Sequence, residues 1–171
     1  KKEKEKEKEK KKITMKRLLL CLVIAWSVVA EMTDQQRLED FYKATFGEGW
    51  NIATNWDDES VSICQWYGVY CDNDGNTEQL ILNKNNLQGS LPDNIWADWD
   101  SLKNFSVAEN FIGGSIPNEV GQTTNLIELI LSSNHFNGHI TNALTQLTRL
   151  SVLGLSKLSL DGSIPTEIGN M

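Results

Sequence analysis

An apolar pattern returns along this chain at an almost constant interval, and that interval limits what the chain can fold into. Aligned on the second apolar position of each copy, Leu80, Phe105, Leu129 and Leu153 are spaced by 25, 24 and 24 residues. A period of this length is the signature of a solenoid, whose units are too small to bury an apolar face alone and do so against their neighbours. Each copy carries an i, i+2 pair, Leu80 and Leu82, Phe105 and Val107, Leu129 and Leu131, Leu153 and Leu155. That alternation is the period of a strand with one buried face.

Three residues after each of the first three pairs stands an amide, Asn85, Asn110 and Asn134. An amide there can bond the peptide groups of its own turn and of the neighbouring turns, so the column reads as an asparagine ladder. A second apolar position follows (Leu87, Ile112, Phe136, Leu160), then a glycine that permits a turn (Gly89, Gly114, Gly138, Gly162), then another apolar residue (Leu91, Ile116, Ile140, Ile164). Proline comes next in three copies, at Pro92, Pro117 and Pro165.

From about Thr77 onward this pattern resembles the plant-type leucine-rich repeat, L-x-x-L-x-L-x-x-N-x-L-x-G-x-I-P-x-x-L-G. The resemblance implies an α/β solenoid, a right-handed superhelix of four plant-type repeats spanning 77–171, with no C-terminal cap. Two positions depart from it: Thr141 replaces the third proline, and Leu158 stands where the fourth asparagine belongs. A leucine cannot satisfy the turn's peptide groups, so the last repeat is expected to be looser than the others.

Upstream, Lys1 to Lys12 consists only of Lys and Glu and can bury nothing, so 1–14 is read as a low-complexity tail, with a functional basic arm as the rival reading. Met15 is the better start. Lys16 and Arg17, an apolar stretch from Leu18 to Val29 and the small residues Val28-Val29-Ala30 make 15–30 a secretory signal, too short for the roughly 20 residues a spanning helix needs. Cleavage after Ala30 would leave six basic and nineteen acidic residues, a net charge of −13, which argues against nucleic acid or an anionic membrane surface as partner.

Residues 31–76 then read as an N-terminal cap. Thr33 followed by Gln36 reads as a capping box; Leu38, Phe41, Tyr42 and Phe46 fall on one helical face; Gly47 is placed to end the helix. Five large aromatics follow, Trp50, Trp56, Trp66, Tyr67 and Tyr70, around Cys64 and Cys71, the cysteines that survive removal of the signal. In an exported chain such a pair reads as a disulfide. The segment from Cys64 to Asp72, with its C-x-W-x-G-V-x-C core, resembles the cap of plant-type repeat proteins, and the wording around Asp40, Gly49-Trp50 and Asn55-Trp56 resembles the version in many algal members. Asp72 to Asn76 reads as the turn into the first repeat strand. The far end carries no second cysteine pair, so the chain is either a piece of a longer protein or self-associates through its last repeat.

Little here suggests chemistry. His135 and His139 are four apart, a metal spacing on a helix, but they fall at variable repeat positions and read as solvent-facing. Asp57-Asp58-Glu59 reads as an exposed loop rather than a calcium site or a catalytic carboxylate pair. No nucleophile elbow or phosphate loop occurs, so the expectation is a non-enzymatic protein without cofactor or metal.

What remains is a surface. Residues flanking the buried pairs should face outward from a concave sheet: Gln79, Ile81, Asn83 and Lys84; Asn104, Ser106, Ala108 and Glu109; Glu128, Ile130, Ser132 and Ser133; Val152, Gly154, Ser156 and Lys157. Among these, Ile81, Asn83, Lys84, Ser106, Glu109, Glu128, Ile130, Ser132 and Lys157 are the candidate ligand contacts. Ile81 and Ile130 would offer a modest apolar patch, unless they pack beside neighbouring strands. Asn104-Phe105-Ser106 is a glycosylation acceptor whose glycan would cover part of this face. Relatives of this repeat type include receptor ectodomains and secreted inhibitors of cell-wall-degrading enzymes. The resemblance thus implies a secreted or cell-surface module binding a protein, peptide or glycan, free or tethered to a membrane by segments outside this chain, with hydrolase inhibition as the alternative.

Overall fold

The computed structural model describes residues 31–170; the basic tail, the signal segment and Met171 lie outside them. Helix α1 (Asp34–Ala44) starts at the capping box: Gln36 N donates to Thr33 Oγ1 at 3.2 Å while Thr33 N donates to Gln36 Oε1 at 3.0 Å. Leu38 and Phe41 are fully buried, as the apolar face requires. The helix ends earlier than the glycine suggested. Thr45 closes it and Phe46 turns left-handed at φ 52°, which throws the Phe46 ring into solvent at 62% exposure. Gly47 is required for another reason: a Cβ there would lie 2.0 Å from the Tyr42 ring.

Strands β1 (Val69–Cys71) and β2 (Thr77–Ile81) form an antiparallel hairpin, closed by Asp72, whose Oδ1 accepts from Asp74 N and Asn76 N at 2.9 Å each. From β2 the sheet continues in parallel through β3 (Asn104–Ser106), β5 (Glu128–Ile130) and β7 (Val152–Gly154), in the order β1-β2-β3-β5-β7. Leu80 pairs with Phe105, Phe105 with Leu129, and Leu129 with Leu153, so the repeat period of the sequence is the register of the sheet. A second parallel sheet stacks β4 (Gly113–Gly114), β6 (His135–His139) and β8 (Ser159–Asp161), around the second apolar position and the glycine of the last three copies. Short 3-10 turns such as Asn118–Gln122 and Asn142–Gln146 return the chain to the next strand.

The asparagine ladder holds the turns together. Asn110 Nδ2 donates to Leu82 O at 2.9 Å and to Val107 O at 2.8 Å, and its Oδ1 accepts from Asn85 N at 2.8 Å and Leu87 N at 3.0 Å. Asn134 does the same one copy on, reaching Val107 O at 2.8 Å and Ile112 N at 3.0 Å. Each amide therefore serves the copy before its own. Asn85 serves the cap, exchanging two bonds of 2.7 Å with the peptide N–H and carbonyl of Ile52. By the same rule Leu158 fails the third copy, having no acceptor to offer Asn134 N or Phe136 N.

The core runs without a break from the cap through the third copy. Trp50, Trp56 and Trp66 are buried, Tyr42 stacks on Trp56 at 5.8 Å, and Phe41 meets Phe105 edge-on at 5.9 Å. In the fourth copy Leu153, Leu155, Leu158 and Leu160 are only half-buried.

Candidate functional site

The concave face is built by the pleat. Because inward residues alternate with outward ones, Gln79, Asn104, Glu128 and Val152 form one outward row and Ile81, Ser106, Ile130 and Gly154 the next. Beyond the strand ends lie two further rows, Asn83, Ala108, Ser132 and Ser156, and Lys84, Glu109, Ser133 and Lys157. Hydrogen bonds run across the first of these: Ser106 Oγ donates to Asn83 Oδ1 at 2.7 Å, Ala108 N to the same atom at 2.7 Å, and Ser156 N to Ser132 Oγ at 3.1 Å. In the last row every residue is left-handed, with φ between 53° and 57°. The N–H groups of the first three are spent on the next copy, Lys84 on Ala108 O and Glu109 on Ser132 O at 2.9 Å each and Ser133 on Ser156 O at 2.8 Å. The side chains are thereby turned outward, and Lys84 Nζ meets Glu109 Oε1 at 3.2 Å in the open, a contact worth little by itself.

Every sequence-predicted concave residue thus lies on one continuous surface, but not all are equally available. Asn83, Lys84, Glu109 and Lys157 are exposed; Ile81, Ser106, Glu128, Ile130 and Ser132 are half-buried. Ile130 leans over Gly154, where an added Cβ would come within 3.0 Å of its Cγ2. Packing and exposure therefore share this isoleucine. Asn104 is half-buried in mid-sheet between Gln79 and Glu128.

Two groups of residues lie outside the sequence reading. Tyr70, paired with Gln79 across β1 and β2, faces outward at 53% exposure and extends the first concave row with an aromatic ring. Its alternation with Val69 and Cys71 was the available signal. Arg37 is only 3% exposed. Its guanidinium bonds the carbonyls of Ile95 (3.1 Å), Ala97 (2.5 Å) and Met32, faces Asp34 Oδ1 at 3.6 Å and lies 6.0 Å from the centre of the Trp99 ring. Asp34 in turn accepts from Thr77 N at 2.7 Å, so this pair fastens α1 to the first repeat. Nothing in the sequence marks a carbonyl as a partner.

The remaining sites separate. Cys64 and Cys71 are joined, with an S–S distance of 2.02 Å. His135 and His139 stand at the two ends of β6, about 13 Å apart along a strand, too far to share a metal. His135 packs edge-on against Phe111 at 5.7 Å, and His139 Nδ1 meets Asp161 Oδ1 at 2.5 Å. Asp57, Asp58 and Glu59 are exposed. The Ser60 hydroxyl, then the Ser60 N–H, hold the Asp58 carboxyl below its ordinary range, while burial first and then Asp57 and Glu48 push the Tyr42 phenol up. Among the described residues no group of three or more His, Cys, Asp or Glu is placed to hold a metal ion, and no helix is long and apolar enough to cross a membrane.

Known proteins share this arrangement. The family profile described as "Leucine rich repeat N-terminal domain" matches residues 36–72, and that described as "Leucine Rich Repeat" matches 125–147. MDIS1-interacting receptor like kinase 1 of Arabidopsis thaliana is 33% identical over 130 residues, covering 75% of this chain and 12% of the relative. Among solved structures, the Arabidopsis receptor kinase HAESA, in complex with the peptide hormone IDA and the co-receptor SERK1, superposes with a TM-score of 0.71 at 29% identity, over 80% of this chain and 23% of that one. The BIR2 ectodomain from Arabidopsis thaliana gives 0.71 at 28% identity, over 80% and 73%. The chain spans between 7% and 12% of the length of the curated relatives it matches.

Proposed function

We propose that this chain, a plant-type leucine-rich-repeat solenoid with an N-terminal cap, acts as an extracellular recognition module that binds a peptide or protein segment on its concave face. One observation carries the reading: the register of the parallel sheet aligns four rows of small, polar and mixed-charge side chains into a continuous outward surface. Similarity to receptor ectodomains, one solved with a peptide hormone, supports it. So does the disulfide in the cap, which suits an oxidising compartment. The contacts we assign are Ile81, Asn83, Lys84, Ser106, Glu109, Glu128, Ile130, Ser132 and Lys157, joined by Tyr70 at the cap end. Exposed aromatics are common anchors of such interfaces, and Tyr70 stands where a ligand crossing the strands would meet the cap.

Ser106 and Ala108, at and just past the end of the strand lying between those of Ile81 and Ile130, leave a shallow floor there over which an extended backbone could lie. Glycosylation of Asn104, two residues before Ser106 on the same strand, would place a glycan beside that floor and compete with a ligand. The test is selection of a random-peptide display library on the purified protein and on the variants Ile130→Arg and Glu128→Lys. Peptides enriched by the parent chain should lose about tenfold or more in affinity for either variant, as loss of a central contact typically does. Equal enrichment by parent and both variants would move the site off this face.

A further inference from the structure

The third copy departs from the others at one position, and the departure lies at an opening in the surface. Pro92, Pro117 and Pro165 follow the last apolar residue of their copies, whereas the third copy has Thr141. Beside it, off the concave face and along the β6–β8 edge, is a cleft of about 560 Å³ reaching from Asn118 to Pro165. Asn118, His139, Asn142, Gly162 and Ser163 are exposed, so it is an open surface cleft that would hold a ligand from one side.

Its lining has a definite chemical character. No Asp, Glu, Lys or Arg lines it. The polar groups are the amides of Asn118 and Asn142, the hydroxyls of Thr141 and Ser163 and the imidazole of His139. They are partly arranged already. Thr141 Oγ1 donates to Asn118 Oδ1 at 2.5 Å and accepts from Ala143 N at 3.1 Å, so the amide orientation at Asn118 leaves its Nδ2 hydrogens for a ligand. His139 spends Nδ1 on Asp161 at 2.5 Å, leaving Nε2. Gly162 forms the rim with φ 74°, where a Cβ would lie 2.7 Å from His139 Nδ1; the rim is bare backbone and has to be. Apolar surface comes from Ile140, Ala143 and Pro165.

We infer that this cleft is a binding site for a neutral saccharide. Amides and hydroxyls give the mixed donors and acceptors that sugar hydroxyls need, and the apolar patch suits the C–H face of a pyranose ring. Acidic sugars fit it poorly: the lining holds no Lys or Arg to offset a carboxylate, and the Asp161 carboxylate already faces His139 Nδ1. The site lies on a different sheet from the concave rows and does not rest on the reading proposed for them.

The experiment is an NMR titration of the full chain with cellotriose, mannotriose and trigalacturonate, following the His139 ring protons with His135, at the far end of β6, as internal control. A saturable shift at His139 but not His135 is expected with at least one neutral trisaccharide, in the millimolar range usual for a few polar contacts, and none with trigalacturonate. Thr141→Pro restores the residue of the other copies at φ −69°, which proline accepts, and should weaken binding about tenfold while the rest of the spectrum is unchanged. Should that variant lose its dispersed spectrum, Asn142→Ala carries the same expectation. No saturable shift with either neutral sugar, tighter binding of trigalacturonate, or unchanged affinity in the folded variant would overturn the assignment.

Discussion

Arg37 shows how one side chain can decide whether a cap is attached or merely adjacent. A guanidinium at 3% exposure is tolerable only because its donors are spent on the carbonyls of Ile95, Ala97 and Met32 and its charge faces Asp34. Lysine would supply the charge but not the planar fork, and could not serve those carbonyls at once. Replacing Arg37 by Leu should cost about 3 kcal/mol in denaturant unfolding, because it strands buried carbonyls and the Asp34 carboxylate together. A loss below about 1 kcal/mol would mean that the guanidinium contributes no net fastening. Asn85, Asn110 and Asn134 act on the same scale but announce themselves, since each stands in a column where only an amide both donates and accepts at the right distance.

At the scale of the element, the cap behaves as a zeroth repeat. Its Ile52 peptide takes the ladder bonds that the turn of a true repeat would take, and its strand β1 closes the edge of the sheet that β2 would otherwise leave open. The disulfide ties the segment before β1 to the end of that strand across seven positions. Replacing both cysteines by serine should lower stability by about 2–3 kcal/mol on the chain-entropy account, read as a shift in the denaturant midpoint at unchanged slope. A changed slope would show instead that the cap unfolds separately from the repeats. Helix α1 teaches a different lesson. Its start was legible in Thr33 and Gln36, whereas its end was not, because the left-handed residue is Phe46 and Gly47 serves the Tyr42 ring.

Across the whole molecule, each copy is held mainly by its neighbours, so a break in the ladder should loosen the copies beside it. Leu158 is that break, because it offers Asn134 N and Phe136 N no acceptor of the kind that Asn110 offers Asn85 N and Leu87 N. Amide exchange should therefore be faster at Asn134 N and Phe136 N than around Asn110. Leu158→Asn should slow exchange at those two amides several-fold by supplying the missing acceptor. Equal protection at these amides and around Asn110 would contradict the ladder's part in holding the turns. The amino-acid sequence alone determined the solenoid, its register, the ladder, the cysteine pair and the set of outward concave residues. Each depends on a residue type at a fixed offset from its own strand, and repetition makes such offsets visible. Only the tertiary structure decided the second sheet, the Arg37 fastening, the place of Tyr70 beside Gln79, the outward turn of Phe46 and the cleft at Thr141. These depend on backbone carbonyls and on neighbours far away in the chain, and neither leaves a signature in residue type.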